Sequence, residues 1–269
     1  MRRGLRLGTM SEGTHGVRGI GALGACVACA CLLGGCSGGP QDAEPARAHS
    51  IFTETIPSGA VAFDMVWIED GGFWIGRTEV TWDEYLAYCA FDEARVEGAD
   101  AVSRPSKPLE VRAFDHGFGT GRRPAIGMSW NGAKQYCAWL SAETGRAYRL
   151  PTEAEWALAC GGLAGPVEDQ AWIASNSGER THAVGTRAPN ANVVHDMLGN
   201  VWEYCAGPFD PSRPDVAVLR GGSWKDETAD GETRLRFNND WTLDDPTFPP
   251  GRWWIPDGDH LGFRVVCEP

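Results

Sequence analysis

Apolar positions recur at helical spacing in three stretches of the chain. In "TWDEYLAYC", Trp82, Tyr85, Leu86 and Cys89 fall on one face, and Thr81 with Glu84 forms a capping box at the start. In "SWNGAKQYCAWLSAETG", Ala133, Tyr136, Cys137 and Leu140 share a face, Ser129 or Asn131 begins the helix and Gly145 ends it. In "PTEAEWALACGG", Thr152 caps, Glu155 answers it three residues on, and Gly161-Gly162 closes the helix. Elsewhere the apolar runs are short and broken by Gly, Pro, Asn and Asp. "MVWIEDGGFWIG" (Met65 to Gly76) predicts a hairpin, and "AVLRGGSW" and "GFRVVC" predict two further strands. The spans Asp100 to Pro124 and Asn238 to Asp259 show no period and predict long ordered loops. Few helices, short strands and much irregular chain predict an α+β fold, a single compact domain of low regular secondary structure.

The pattern changes at the N-terminus. Arg2, Arg3, Arg6 and Arg18 precede the uncharged run Ile20 to Cys36, whose apolar part is too short to span a bilayer. Its end, "LGGC", resembles a bacterial lipobox, which implies a signal over residues 1–35 and acylation of Cys36. A cleaved signal without lipid is the alternative. Residues 36–59 are small, polar and proline-bearing, so Cys36 and a flexible tether occupy them, and the folded domain spans 60–269. The expected destination is the bacterial cell envelope, with membrane attachment through lipid.

Charge and cysteine content narrow the partners. The chain carries a net charge of −12, and loss of a signal holding four arginines and one glutamate takes it to −15. Such a surface repels phosphate backbones, which excludes nucleic acid as a partner. Five cysteines follow Cys36: Cys89, Cys137, Cys160, Cys205 and Cys267. Export makes one or two disulfides expected, and the odd number leaves one thiol over.

The runs "WIGRTEVTWDEYLAYC", "RPAIGMSWNGAKQYCAWLSAETGRAYRLPTEAEWALACGG", "NVVHDMLGNVWEYC", "VLRGGSW" and "LGFRV" are spread across the stretch from Phe73 to Val265. In this order they resemble the formylglycine-generating enzyme family, or sulfatase-modifying-factor domain. The resemblance implies one compact domain related to C-type lectin folds. It also implies oxidation of a sulfatase cysteine by oxygen and a copper ion held by two cysteines, three and eight residues after the serine of the "GGS" turn. Counted from Ser223, those positions hold Asp226 and Gly231. Copper(I) requires soft thiolate ligands, so copper and formylglycine generation are not expected. A second branch of the superfamily uses non-haem iron. His116, His182, His195 and His260 lack any iron-binding spacing, and only a triad assembled in space, with Asp196 or Asp259, would restore it.

The resemblance further implies a calcium ion around "HDMLGNVWE", with carboxylates from Asp196 and Glu203 and carbonyls from Gly199 and Val201. The plain alternative is a tight turn in which Glu203 and Asn200 satisfy buried backbone. Ser223 and Trp202 match pocket residues, with Asp226 beside them, but no histidine is identified to activate the serine. The acids Asp226, Glu227, Asp230 and Glu232 read as a solvated loop. Trp67, Trp74, Trp130, Trp139 and Trp156 sit in core-like patterns. Trp241, Trp253 and Trp254 serve either a ligand surface or the cover of an open core. The family's disulfide, shifted by two residues in the last strand, implies a Cys137–Cys267 bridge; Cys160–Cys205 is the weaker pairing. The expected protein is thus a monomeric envelope lipoprotein, a binding or structural module for a peptide, glycan or envelope protein. The alternative is an oxidoreductase of altered metal-dependent chemistry.

Overall fold

The computed structural model describes residues 49–90, 115–162, 165–238 and 258–269. The signal, Cys36 and the tryptophans Trp241, Trp253 and Trp254 lie outside the described residues, as do most of both expected long loops. Strands β1 (Ile51–Ile56), β2 (Val61–Ile68) and β3 (Phe73–Gly76) form an antiparallel meander. Helices α1 (Trp82–Ala90) and α2 (Trp130–Thr144) follow, then β4 (Tyr148–Arg149), α3 (Glu153–Cys160), and the short α4 (Val167–Gln170) and α5 (Ala174–Ser177). The chain ends in β5 (Trp202–Asp210), β6 (Arg213–Arg220), β7 (Arg234–Asn238), β8 (Leu261–Gly262) and β9 (Val266–Cys267). The first sheet runs β1-β2-β3-β9-β4 and the second β7-β6-β5-β8.

The helix ends follow the predicted chemistry. Ser129 caps α2 by accepting from Gly132 N at 3.0 Å, and Gly145 ends it in the left-handed region at φ 74°. Thr152 and Glu155 form both halves of the α3 capping box. The α1 face buries Trp82, Tyr85 and Cys89 as expected, but Tyr88 is buried in the place expected of Leu86. Tyr85, Tyr88 and Tyr136 then pack with Trp139 and Phe263, and Tyr85 stacks on Tyr136 at 5.6 Å. Each such aromatic pair adds about 0.5–1.5 kcal/mol beyond its burial. Trp130, Trp139 and Trp156 belong to the core; Trp67 and Trp74 are half-buried and lean on each other at 5.2 Å.

Three expectations are corrected. Ile51–Ile56, assigned above to the tether, is an edge strand in register with β2 from Ile51↔Val66 to Ile56↔Val61. Its residues are largely exposed and only Ile56 is buried, so its composition mimics a linker. "GFRVVC" is not one strand. It splits between β8, parallel to β5, and β9, which pairs with β3 and β4, so the segment between them crosses from one sheet to the other. The third concerns the cysteines. All five are buried thiols, and the expected Cys137–Cys267 bridge is not formed, although both residues belong to the same core cluster. In that core they serve as small apolar groups, and burial pushes the Cys137 thiol up well past its ordinary range.

Glu84 carries a cost inside α1. Its Oε1 accepts from Thr81 Oγ1 at 2.7 Å and from Thr81 N at 3.2 Å. Burial nevertheless raises its carboxyl from 4.5 to about 7. The folded state therefore holds this proton more tightly than the unfolded chain. Its stabilising contribution is complete below pH 4.5 and is lost as pH rises through 7. Glu84→Gln keeps an accepting oxygen without the charge. We expect the variant to exceed the parent by about 2 kcal/mol at alkaline pH and to match it in acid. Urea unfolding at both pH values checks this, and an unchanged difference between them contradicts it.

Candidate functional site

The turn after β6 needs both of its glycines. Gly221 and Gly222 have φ 111° and 83°, and a Cβ on Gly221 would lie 3.0 Å from Met197 O and 3.3 Å from Trp156 Cζ2. Ser223 follows, fully buried, and its hydroxyl donates to Asp226 Oδ2 at 2.7 Å. The same oxygen accepts from Ser223 N at 2.8 Å and from Trp202 Nε1 at 2.9 Å. One carboxylate oxygen thus binds three donors and ties the two expected pocket residues together. Ser223 gives its proton to a carboxylate rather than to a histidine, so the arrangement does not make it a nucleophile. A cavity of about 200 Å³ lies beside the turn, lined by Trp202, Gly221, Gly222, Asp226, Thr228 and Asp230.

Gly231 is closed to a side chain. It adopts φ 72°, and a Cβ there would stand 3.0 Å from Cys160 Sγ. Its carbonyl accepts from Arg220 Nη2 at 2.5 Å. Asp230 folds the loop back by accepting from the backbone of Glu232 and Thr233, both at 2.9 Å, whereas Asp226, read above with the same solvated run, is half-buried and engaged by three donors.

Asp196, Gly199, Val201 and Glu203 are brought together by three left-handed residues, Asp196, Gly199 and Asn200, at φ 54°, 73° and 54°. Gly199 permits the closest approach: a Cβ would meet Trp172 O at 2.3 Å. Asn200 binds the turn to its neighbours, accepting from His182 N at 2.9 Å and donating to Glu79 Oε2 at 2.8 Å. Glu79 also accepts from Val201 N at 3.2 Å. Burial first, then the charges of Asp196 and Glu203, raise the Glu79 carboxyl well above its ordinary value.

Glu203, expected as a calcium ligand, has protein partners of its own. It is fully buried and faces Arg264, also fully buried: Nε reaches Oε2 and Nη2 reaches Oε1, both at 2.6 Å. Trp156 Nε1 donates to Oε2 at 2.8 Å. Arg264 also donates to the carbonyls of Gly76, His195 and Asp196 at 3.0, 3.1 and 3.2 Å. The carboxylate already has its cation and its hydrogen bonds. Asp196 differs. Its Oδ2 accepts from Gly185 N at 2.6 Å, while its Oδ1 is buried with no partner. Burial lifts this carboxyl from 3.8 to about 6. Of the two expected carboxylates, Asp196 is the one left with an unmet oxygen.

The histidines do not converge on an iron site. His182 Nε2 meets Ser177 O, His195 Nδ1 meets Arg187 O and His260 Nδ1 meets Asp259, which also holds Lys225. Among the described residues no group of three or more His, Cys, Asp or Glu is placed to hold a metal ion. Sequence reasoning missed Glu79 and Arg264. The signal for Arg264 was a lone arginine inside the apolar run "LGFRVVC".

With the fold and the turn in view, the comparisons are specific. A model of the sulfatase-modifying factor enzyme 1-like domain matches residues 52–269, and the chain belongs to that family. It is 37% identical over 165 residues to the inactive C-alpha-formylglycine-generating enzyme 2 of Mus musculus, covering 54% of this chain and 49% of that protein. It is 32% identical over 145 residues to the formylglycine-generating enzyme of Streptomyces coelicolor, covering 39% of this chain and 44% of that enzyme. The chain spans about half the length of such curated relatives. Among solved structures it resembles PvdO from Pseudomonas aeruginosa, with TM-score 0.52 and 27% identity over 82% of this chain and 92% of that one. Treponema denticola variable protein 1 shares the fold, with TM-score 0.58 and 24% identity over 81% of this chain and 99% of that one. The chain is a divergent member, with Asp226 and Gly231 at the positions counted for the copper cysteines.

Removing one partner of a buried ion pair leaves an uncompensated charge. Arg264→Gln is expected to lose about 3–5 kcal/mol of stability. Adding Glu203→Gln should recover part of that loss, and denaturant midpoints of both singles and the double give the coupling. Additive losses would refute the pairing.

Proposed function

We propose that this chain is a non-catalytic member of its family, an exported lipoprotein acting as a binding or structural module at the cell envelope. The observation that carries the reading is the Asp226 cage. A hard carboxylate oxygen stands where the family chemistry needs a soft thiolate, and three donors already engage it. Gly231 supports the same conclusion, because its backbone and the Cys160 thiol leave a side chain no easy place. The inactive relative in mouse is consistent with a family member that keeps the fold without the chemistry. Lipid on Cys36 would hold the module at a membrane, and several acyl chains would hold it firmly.

Oxygen uptake with a cysteine-containing sulfatase peptide should be absent with or without copper. Sustained turnover would defeat the reading and favour the altered oxidoreductase. Mass measurement of the membrane-extracted protein should show a chain beginning at Cys36 with acyl groups attached.

A structural calcium ion is a second reading, favoured by the buried, unpartnered Asp196 Oδ1. When bound, calcium would supply a fixed positive charge to the turn, held by Asp196 and the Gly199 and Val201 carbonyls. Calcium at 100-fold over its dissociation constant should then raise stability by about 2.7 kcal/mol. Asp196→Asn should weaken that response, and a melting curve indifferent to calcium and chelator removes the ion from the account.

A further inference from the structure

We propose that the face beside the Ser223 turn, formed by the 122–123 and 180–187 loops, is a docking surface for an acidic peptide segment of a partner protein. The proposal deepens the binding reading above and rests on it. The chain as a whole is strongly acidic, at −12, yet Arg123, Arg180 and Arg187 gather around His182, with Arg122 next to Arg123 in the chain and beside Glu84. The two loops are joined where Val184 N donates to Arg122 O at 2.9 Å. Within the second loop His182 stacks on Trp172 at 3.6 Å, and the Arg187 guanidinium lies 3.8 Å from the Trp172 ring. Burial, and after it the charges of Arg123, Arg180 and Arg187, hold His182 below its ordinary range, as a cluster of cations around one imidazole requires.

None of these four arginines forms an ion pair with a carboxylate among the described residues, whereas Arg77, Arg146, Arg149, Arg213, Arg220, Arg234 and Arg264 each do. Two of their nitrogens, Arg123 Nη1 and Arg187 Nε, are buried with no hydrogen-bond partner. Each such donor costs about 1–3 kcal/mol while it stays unmet. Carboxylates arriving from outside would meet the exposed Arg122 and Arg180 guanidinium groups with charge-assisted bonds.

The same face carries apolar contact. Phe118 packs edge-on against Trp224 at 5.5 Å, and the 172–182 segment is tied to the Ser223 turn where Ser177 Oγ donates to Trp224 O at 3.0 Å. Arginine beside aromatic rings suits a peptide bearing both acidic and apolar side chains. A dense phosphate array fits less well, because the acidic remainder of the molecule repels it beyond a patch of this size.

The test is fluorescence anisotropy of the purified protein with a fluorescein-labelled glutamate–tyrosine copolymer peptide. The parent should bind it, more weakly in high salt. Arg122→Gln with Arg180→Gln, both exposed positions, should weaken binding about tenfold. The charge reversal Arg180→Glu alone should weaken it further than Arg180→Gln. Arg213→Gln, whose partner is Asp215, should leave it unchanged. Thermal melts of the variants confirm that the fold is kept. Absence of binding, equal loss in Arg213→Gln, or tighter binding of an oligonucleotide or of phosphatidylglycerol vesicles would each overturn the proposal. Oxygen turnover would instead defeat the non-catalytic reading while leaving the peptide result intact, because the substituted arginines lie outside the Ser223–Asp226 cage.

Discussion

The buried pair of Arg264 and Glu203 joins the parts of this molecule that short strands alone would not hold. Glu203 sits at the start of β5, and Arg264 lies in the crossing between β8 and β9. Through its other nitrogens Arg264 reaches the end of β3 at Gly76 and the turn at His195 and Asp196. One guanidinium therefore fastens both sheets and the irregular turn between them. Desolvating two charges is expensive, and the geometry offsets it by giving the carboxylate oxygens three short hydrogen bonds. Glu79 and Asp196 lie close enough to share the same field, and their raised carboxyls mark how little water remains there.

Much of the fold was legible because local chemistry and tertiary structure agree. The caps at Ser129, Thr152 and Gly145 act within one turn of helix, and nothing distant overrides them. The hairpin of β2 and β3 was visible for the same reason. Where the outcome depended on distant partners, the sequence was silent or misleading. Ile51–Ile56 looks like linker because an edge strand exposes most of its side chains. "GFRVVC" looks like one strand because apolar residues pack equally well on either sheet. Its division into two pairings reflects distant partners, β5 for one part and β3 and β4 for the other.

The site was legible as a list of residues but not as a set of bonds. Asp226, Ser223 and Trp202 could be named from the turn motif, yet the convergence of three donors on one oxygen is a property of the packed turn. Glu203 came from the family resemblance, which named its position but not its partner Arg264. A lone arginine in an apolar run carries no spacing rule that points to its acid sixty-one residues earlier in the chain. The basic face was hidden by the overall charge, since a summed value says nothing of how the charges are arranged.

The backbone at Gly231 bears on whether the domain could accept a second thiolate. A thiol there would require a left-handed residue with a Cβ, and it would crowd the sulfur of Cys160. Changing Asp226 alone would release Trp202 and Ser223 without providing a second ligand. Each change taken singly would disturb a packed contact, so the two positions are constrained together.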